Sequence, residues 1–339
     1  MVEFTPWPGL LLAIESSCDE TSAAVLNGKS VLSNVISSQI DLHKSTGGVV
    51  PEVAARAHVE AILPVLLQAL GEADLSWEDV SAICVTNRPG LIGSLSIGVT
   101  AAKSIASALQ IPLLGVHHLE GHLLSPFFVT DVPFPHLCLL VSGGHTELIW
   151  VRGFGTYEVI GETRDDAAGE AFDKCARLLG FGYPGGKELS EAAETGQAGR
   201  VSLPRSKVDG FGFSFSGLKT AVLRHCEKEG AALNVADTAF EVEKAIVEPL
   251  VMKTAAAAIE LGAKAITLAG GVAANQTLRR ELDREAKRIG LPLICAPLDL
   301  CTDNAAMIGL AGSWRLARGE RDGFEMDCFA VSELPGGVV

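Results

Sequence analysis

The sequence lacks the positive charge that a protein needs to bind nucleic acid over a broad surface. It has 27 Lys and Arg residues against 41 Asp and Glu residues, which gives a formal net charge of −14 at pH 7. A chain of this charge repels a polyanion unless a local basic strip or a partner protein supplies positive charge. We therefore expect any binding of nucleic acid to depend on one of these two sources.

Paired cysteines and long uncharged apolar runs are also missing. The eight Cys residues are scattered through 339 residues without a CxxC motif, and several lie in apolar runs such as SAICVT and HLCLLVS. Thiols pack there as small hydrophobic groups, which favours a reducing cytoplasm over a disulfide-stabilised scaffold. No run reaches the roughly 18 uncharged residues of a membrane span, and the N-terminus lacks the basic segment of a secretory signal. We expect a cytoplasmic protein without membrane contact.

Two parts of the sequence repeat the same order of predicted elements. Residues 10–37 and 136–164 each contain an apolar strand, a small polar loop and further strands. Residues 81–116 and 264–297 each contain a strand, a Gly-containing turn, a long helix and a second strand. This match of order and spacing predicts a duplicated α/β domain with a mixed five-stranded sheet in each copy.

The repeat also predicts the domain boundaries. We expect an N-terminal lobe at 1–130 and a C-terminal lobe at 131–339, with a helical insertion at about 165–255, where helix-favouring residues interrupt the repeat. Ligands of open α/β sheets gather beyond the carboxyl ends of the strands. If the two lobes face each other, the loops that follow the strands are expected to line one cleft.

Three polar loops that follow predicted strands are candidates for phosphate binding. VSGGHTEL (141–148) has two glycines at its tip, SSCDET (16–21) occupies the corresponding place in the first half, and AGGVAANQ (269–276) joins a strand to a helix. Glycines let backbone N–H groups approach a phosphate, and a helix N-terminus adds its dipole. For the Gly-Gly turn taken alone an ordinary tight hairpin is favoured, and for Asn275 taken alone a helix cap is preferred.

HHLEGH (117–122) is a candidate metal-binding segment. If a helix begins near His118, then His118 and His122 point the same way and can share a divalent ion. Glu120 lies on the opposite side, so this is not the HExxH arrangement of metalloproteases. The repeat places Asp303 in the matching loop of the second half as a third ligand, with a helix N-cap as its alternative role. Two His and one Asp suit iron(II) or zinc with open positions for substrate oxygens.

Nine segments together resemble the motifs of one family. IESSCDET, GGVVPEVAARAH, HHLEGH, VSGGHTEL, DDAAGEAFDK, YPGG, FSFSGLKTA, GGVAAN and CTDNAAM occur in this order between about Leu10 and Arg318. They resemble the tRNA N6-adenosine threonylcarbamoyltransferase (TsaD) family, formerly described as O-sialoglycoprotein endopeptidases. The resemblance implies a two-lobed actin-like ATPase (ASKHA) fold with duplicated mixed-sheet domains and a helical insertion in the second lobe.

The resemblance also implies an acyltransferase reaction and its participants. The threonylcarbamoyl group passes from threonylcarbamoyl-AMP to N6 of adenosine 37 in tRNAs that read ANN codons, while a bound divalent metal orients the intermediate. The implied cofactor is one metal ion per chain, Fe²⁺ or Zn²⁺. Besides tRNA and threonylcarbamoyl-AMP, the implied partners are a non-catalytic paralogue and a small ATPase of the threonylcarbamoylation complex.

Site residues follow from the resemblance motif by motif. The metal ligands are His118, His122 and Asp303. The loop at the phosphate and acyl part of the intermediate consists of Val141, Ser142, Gly143, Gly144 and His145. The contacts to its adenosine are Asp173, Gly186 and Asn275. The catalytic residue is unassigned, with His145 as a candidate.

One segment departs from the family pattern. Asn87 and Arg88 precede Pro89-Gly90, where the family usually has a small residue and a glycine. Arg88 is bulky for a turn that approaches a ligand, or else it supplies a charge for phosphate or tRNA. A metalloprotease and a non-enzymatic ATP-binding scaffold are the alternative functions. The position of Glu120 counts against the first, and the His-His-Asp set counts against the second.

Overall fold

The computed structural model describes residues 4–44, 46–205 and 208–336. These residues form two compact units, one from 4–131 with 303–335 and one from 132–302 with Gly336. Each unit contains one five-stranded mixed sheet. All eight cysteines lie within the described ranges and are free thiols.

The first sheet has the order β3-β2-β1-β4-β5. Its first three strands form an antiparallel meander, and β4 and β5 continue the sheet in parallel with β1. The central strand is apolar and buried along most of its length because both of its faces are covered. The strands are β1 (Leu10–Glu15), β2 (Glu20–Asn27), β3 (Ser30–Ser38), β4 (Ala82–Arg88) and β5 (Leu113–His117).

The helices that accompany this sheet are α1 (Ile40–His43), α2 (Pro51–Glu72), α3 (Ile92–Leu109) and α4 (His118–Leu124), and α2 and α3 pack on its strands. Among the described residues, α2 and α3 reach the length and apolar composition of a membrane-crossing helix. Each of them buries one face, through Leu66 and Ala69 on α2 and Val99 and Ala102 on α3, in the core that also contains the sheet. This is the packing expected of a helix that covers a sheet.

The second sheet repeats the topology of the first. Its order is β10-β9-β6-β7-β8, with an antiparallel meander followed by two parallel strands. The duplication predicted from the order of elements is therefore confirmed. The strands are β6 (His136–Val141), β7 (Thr146–Gly153), β8 (Thr156–Glu162), β9 (Ile266–Ala269) and β10 (Leu293–Cys295).

The predicted helical insertion is also confirmed, because the described residues between β8 and β9 form four α-helices. They are α5 (Ala168–Leu178), α6 (Gly186–Ala193), α7 (Ser216–Glu229) and α8 (Val235–Leu261), and α9 (Gln276–Arg288) follows β9. In α9 the buried residues Leu278, Leu282 and Ala286 recur every four positions, so this highly charged segment presents one apolar stripe to the core.

The last helix, α10 (Ala305–Ala317), belongs to the first unit, whereas the predicted lobe boundary placed it in the second. The reason is packing. A Cβ atom at Gly309 would overlap the Leu26 side chain, and one at Gly312 would overlap the thiol of Cys84. The two glycines thus let the helix lie very close to the first sheet and cover its apolar face. The order of the repeated elements along the sequence does not indicate that the chain returns to the first unit at Asp303.

His136, at the start of β6, makes the stability of the chain depend on pH. Its ring is fully buried and stacks on Phe134 at a centroid distance of 5.3 Å. Burial lowers the pKa of His136 from 6.5 to about 4. Because the unfolded chain takes up this proton first, the unfolding free energy contributed by His136 is complete above pH 6.5 and is lost as the pH falls to 4.

We expect wild type to lose up to about 3 kcal/mol more unfolding free energy than the His136→Phe variant between pH 7 and pH 4. Urea unfolding of both proteins across this range measures the difference. Parallel pH profiles would show that His136 titrates normally in the folded state.

Candidate functional site

Helix α4 begins at His118, directly after β5, and carries the HHLEGH segment. His117 caps the helix: its Nδ1 accepts a hydrogen bond from Leu119 N at 3.2 Å, and its Nε2 lies 3.2 Å from the carbonyl oxygen of Ser332. His118 and His122 are one turn apart, both buried, with ring centroids 4.8 Å apart. The helix therefore presents two imidazoles on one face, as the spacing predicted.

Asp303 completes a cluster with these two histidines within the first unit. Its Oδ1 lies 3.0 Å from His122 Nε2 and 3.5 Å from His118 Nε2. One ligand atom from each residue lies within 4.8 Å of the others, close enough to hold one metal ion. The N-cap of α10 is Asn304, whose side chain accepts from Met307 N. The cap role considered for Asp303 is therefore wrong.

The electrostatics of the cluster favour a cation. Burial lowers the pKa of His118, but the facing carboxylates of Asp303 and Glu15 outweigh burial and raise it to about 9. Burial and the charge of Asp303 raise the pKa of Glu20 to about 9. Two imidazoles and a carboxylate in such a negative environment fit a divalent iron or zinc ion.

Glu15 is a site residue that the sequence analysis did not single out. It ends β1, its side chain is fully buried, and its carboxylate accepts hydrogen bonds from Ser17 N at 2.5 Å and from the Thr86 hydroxyl. Its Oε2 also lies 3.1 Å from His118 Nδ1. Burial raises the pKa of the Glu15 carboxyl, but attraction to His118 outweighs burial, so the pKa lies below its ordinary value. The sequence feature that could have identified Glu15 is an acidic residue at the end of a strand that is otherwise apolar.

The SSCDET loop is held by the turn that precedes α3. Leu91 N donates to the Ser17 carbonyl at 2.8 Å, and a Cβ atom at Gly90 would lie 2.6 Å from the same oxygen. Glycine at position 90 is thus required by this close approach. The Ser17 hydroxyl in turn lies 3.2 Å from His118 Nδ1, so the loop supports the helix that carries the two histidines.

The unusual Asn87-Arg88 pair serves the C-terminal segment of the first unit. Asn87 Nδ2 donates to the Asp327 carbonyl at 3.1 Å, and Phe329 N donates to the Asn87 carbonyl at 3.0 Å. The Arg88 guanidinium donates to Asn87 Oδ1 at 2.9 Å, and burial lowers the pKa of Arg88. The departure from the family pattern is therefore accommodated by contacts within the chain.

The Glu120 carboxylate faces a cation of α10. It is fully buried, and its Oε2 lies 3.8 Å from the Arg315 guanidinium of α10. The carboxylate is thus directed to a cation on another helix, as expected for a side chain on the opposite face of α4.

The second unit contains the glycine-rich loop Val141–His145, which joins β6 to β7. Ser142 N donates to the His145 carbonyl at 2.8 Å, and the Ser142 hydroxyl accepts from Gly144 N at 3.3 Å and His145 N at 3.0 Å. Gly143 and Gly144 are exposed, and apart from the chain neighbours no described residue places an atom within 4 Å of a Cβ built on either. The serine therefore shapes the turn, while the tip stays open.

Two other glycine motifs hold this loop from behind. Gly169 N donates to the Ser142 carbonyl at 3.2 Å, and a Cβ atom at Gly169 would lie 2.7 Å from that oxygen. Gly270 has φ +92°, and a Cβ atom there would overlap the Val141 carbonyl. The DDAAGEAFDK and AGGVAANQ segments are thus packed against VSGGH through positions that only glycine can occupy.

Helix α6 brings together the three residues predicted to contact adenosine. Asp173 Oδ1 accepts from Gly185 N at 2.9 Å and from Gly186 N at 3.0 Å, at the start of α6. One turn later, the Ser190 hydroxyl accepts from Asn275 Nδ2 at 2.9 Å. Burial raises the pKa of Asp173. Asp173, Gly186 and Asn275 therefore form one connected cluster.

The side-chain amide of Asn275 forms hydrogen bonds within the protein through both of its polar atoms. Its Oδ1 accepts from Leu278 N at 2.7 Å and so caps α9, while Nδ2 donates to Ser190 and, at 2.8 Å, to the buried Glu243. The cap preferred from the sequence is confirmed. Ser190 and Glu243 were not identified from the sequence, because their roles depend on contacts between separate helices.

Asn275→Asp keeps the acceptor that caps α9 but replaces two donors with a second carboxylate oxygen beside Glu243. We expect it to lower the unfolding free energy by about 2–4 kcal/mol, since a buried charge loses its hydrogen bond and gains a like charge. Asn275→Ser, which keeps a cap without adding charge, is the control and is expected to cost about 1 kcal/mol less. Chemical denaturation measures both, and equal losses would mean that only the cap matters.

Two sheets of the same topology with a helical insertion define the actin-like ATPase class, and solved structures of that fold are similar. Component A of the (R)-2-hydroxyglutaryl-CoA dehydratase of Acidaminococcus fermentans matches with a TM-score of 0.54 at 16% identity, over 91% of this chain and 99% of that chain. HypF of T. kodakarensis matches with a TM-score of 0.60 at 15% identity, over 92% of this chain and 48% of that chain. The predicted fold class is confirmed.

Sequence comparisons are more specific. The model of the family described as TsaD, tRNA N6-adenosine threonylcarbamoyltransferase, matches residues 30–310. A tRNA N6-adenosine threonylcarbamoyltransferase of Dehalococcoides mccartyi is 53% identical over 320 residues, 94% of this chain and 97% of that protein. The protein of the same name from Bacillus subtilis is 48% identical over 324 residues, 94% of this chain and 93% of that protein. This chain therefore belongs to the tRNA N6-adenosine threonylcarbamoyltransferase family and is a transferase, as its motifs predicted.

Proposed function

We propose that this chain transfers the threonylcarbamoyl group of threonylcarbamoyl-AMP to N6 of adenosine 37 in tRNAs that read ANN codons. The observation that carries the proposal is the convergence of His118, His122 and Asp303 in the first unit. A non-enzymatic scaffold needs no such set, and a metalloprotease would need a base where Glu120 instead faces Arg315.

In this proposal His118 Nε2, His122 Nε2 and Asp303 Oδ1 hold one divalent ion, Fe²⁺ or Zn²⁺. When bound, the ion supplies Lewis-acid polarisation of the acyl group and orients the intermediate. The donor set and the surrounding negative charge support this assignment, and both metals accept these ligands.

The VSGGH loop is proposed to bind the phosphate and acyl part of the intermediate. Because no described residue contacts a Cβ position at Gly143 or Gly144, the folded chain itself does not require glycine there. A ligand that approaches the backbone closely does require it. Val141 and Ser142 position this tip.

Adenosine N6 is a weak nucleophile, so the rate of the proposed reaction depends on how the two substrates are positioned. The lone pair of adenosine N6 attacks the carbamoyl carbon, the bond from that carbon to the phosphate oxygen breaks, and AMP leaves with the electron pair while N6 loses a proton. Because AMP is already a good leaving group, no covalent enzyme intermediate is required. Backbone donors stabilise the developing charge, and fixed orientation of the two substrates contributes much of the rate. His145 is the candidate to accept the proton.

The adenosine of the intermediate is assigned to the cluster of Asp173, Gly186 and Asn275. Asp173 uses Oδ1 for the turn before α6, which leaves Oδ2 to face a ribose hydroxyl. Asn275 has already committed both amide hydrogens, so it offers the second lone pair of Oδ1 as an acceptor.

The metal assignment and the activity are tested together. We expect His122→Asn and Asp303→Asn to lose the bound metal and to reduce tRNA modification by about 100- to 1,000-fold, the usual cost of removing one group that stabilises developing charge. Elemental analysis counts metal ions per chain, and mass spectrometry of digested tRNA measures the modified nucleoside.

The His136→Phe variant is the matched control, because His136 is a buried histidine in the other unit. It should keep both metal and activity. Absence of modification by wild type, even with threonylcarbamoyl-AMP and the partner proteins supplied, would contradict the proposed function.

The proposed partners are a non-catalytic paralogue and a small ATPase, acting in the cytoplasm. Because the net charge of this chain is −14, much of the electrostatic attraction for tRNA is expected to come from those partners. We predict that the isolated chain binds tRNA weakly at about 0.15 M salt and that the partners increase affinity at least 10-fold. Filter binding over a salt series measures this, and tight, strongly salt-dependent binding by the isolated chain would contradict it.

A further inference from the structure

The groups around the Glu15 carboxylate determine which hydrogen bonds each of its two oxygens accepts. Ser17 N, at 2.5 Å from Oε1, is a backbone N–H group and can only donate. Oε2 faces the Thr86 hydroxyl and lies 3.1 Å from His118 Nδ1. An ionised carboxylate only accepts hydrogen bonds, so a neutral His118 must carry its proton on Nδ1 to satisfy this contact.

We propose that Glu15 is a positioning residue that holds His118 in the tautomer with a free Nε2 lone pair facing Asp303. This inference rests on the proposed function, since it concerns the metal ion that His118 would bind. A carboxylate behind a ligating imidazole fixes the ring orientation and makes the ligand more basic.

The Ser17 hydroxyl does not make this choice. It lies 3.2 Å from the same nitrogen, but a hydroxyl group rotates and serves either as donor or as acceptor. Ser17 therefore tolerates both tautomers of His118, whereas Glu15 tolerates one. A glutamine in place of Glu15 would reverse the preferred tautomer of His118, because its amide NH2 group donates where the carboxylate accepts.

The frame around Glu15 is rigid enough to impose the choice. Glu15 ends β1, which is paired with β2 on one side and with β4, the strand of Thr86, on the other. The Ser17 backbone is fixed from the opposite direction by Leu91 N. The carboxylate therefore has little freedom to rotate away from His118.

Glu15→Gln is the informative substitution because its outcome is determined by Ser17. The amide oxygen must remain opposite Ser17 N, since an NH2 group there would place two donors face to face. The NH2 group then faces the Thr86 hydroxyl, which rotates to accept, and His118 Nδ1, which must become an acceptor. The proton of His118 moves to Nε2, and the lone pair needed by the metal is lost.

We expect Glu15→Gln to bind Zn²⁺ about 10- to 100-fold more weakly than wild type, measured by competition with a chromophoric chelator. Co²⁺ at saturation is expected to give a visible spectrum with reduced intensity in the variant, because one imidazole ligand is displaced. Glu147→Gln is the control, since Glu147 is a partly buried acid on β7 of the other unit. Its affinity for Zn²⁺ should match that of wild type.

A measurement on the wild-type chain keeps the inference testable even if Glu15→Gln fails to fold. Nitrogen NMR of the Zn²⁺-loaded protein with ¹⁵N-labelled histidine distinguishes the protonated from the ligating nitrogen. Protonated Nδ1 and zinc-bound Nε2 at His118 are expected, and zinc bound through Nδ1 would overturn the inference. Equal Zn²⁺ affinity of folded Glu15→Gln and wild type would overturn it too. Wild type that binds no metal at all would instead refute the metal assignment in the proposed function.

Discussion

The contact between α10 and the first sheet is the constraint on which the candidate metal centre depends. Gly309 and Gly312 let the helix approach Leu26 and Cys84 more closely than any side chain would permit. The start of the helix is fixed as well, because Asn304 caps it and the Ser22 hydroxyl accepts from Ala305 N at 2.9 Å. Asp303 directly precedes this anchored end. Its carboxylate is therefore held beside α4, with two histidines that are about half the chain length away in sequence.

Burial of the charged groups Glu15, His118 and Asp303 has an energetic cost because it removes them from water. Glu15 and His118 are almost completely buried, and Asp303 is mostly buried beside them. Buried ion pairs contribute little net stability compared with apolar residues of the same volume, so their presence is better explained by a function that requires them. A cation bound between His118, His122 and Asp303 would offset the accumulated negative charge. Glu120 and Arg315 form a separate buried ion pair where α4 meets α10.

In the second unit the candidate site consists mainly of backbone groups of the VSGGH loop and not of a side-chain cluster. Gly169 and Gly270 pack against the carbonyl groups of Ser142 and Val141, so the VSGGH loop is held from behind while its own glycines stay exposed. Hydrogen bonds also connect the neighbours of this loop into one cluster. Asp173 accepts from Gly185 N and Gly186 N at the start of α6, and Ser190 on the same helix accepts from Asn275. Substitution of Gly169 or Gly270 would displace the loop. Substitution of Gly143 or Gly144 would instead affect the approach of a ligand to the loop.

The sequence by itself determined the elements and their repetition, the helix that presents His118 and His122, and the family. These follow from local periodicity, because backbone geometry sets the spacing of side chains on a helix or a strand. It also pointed to Asp303 through the repeat, without excluding a cap. Only the tertiary structure decided that Asn304 is the cap, that α10 joins the first unit, and that Glu15 contacts His118 from 103 residues away. Ser190 and Glu243 around Asn275 belong to the same group. Contacts between distant segments depend on how whole helices and sheets pack to fill the core, and no local pattern encodes that arrangement.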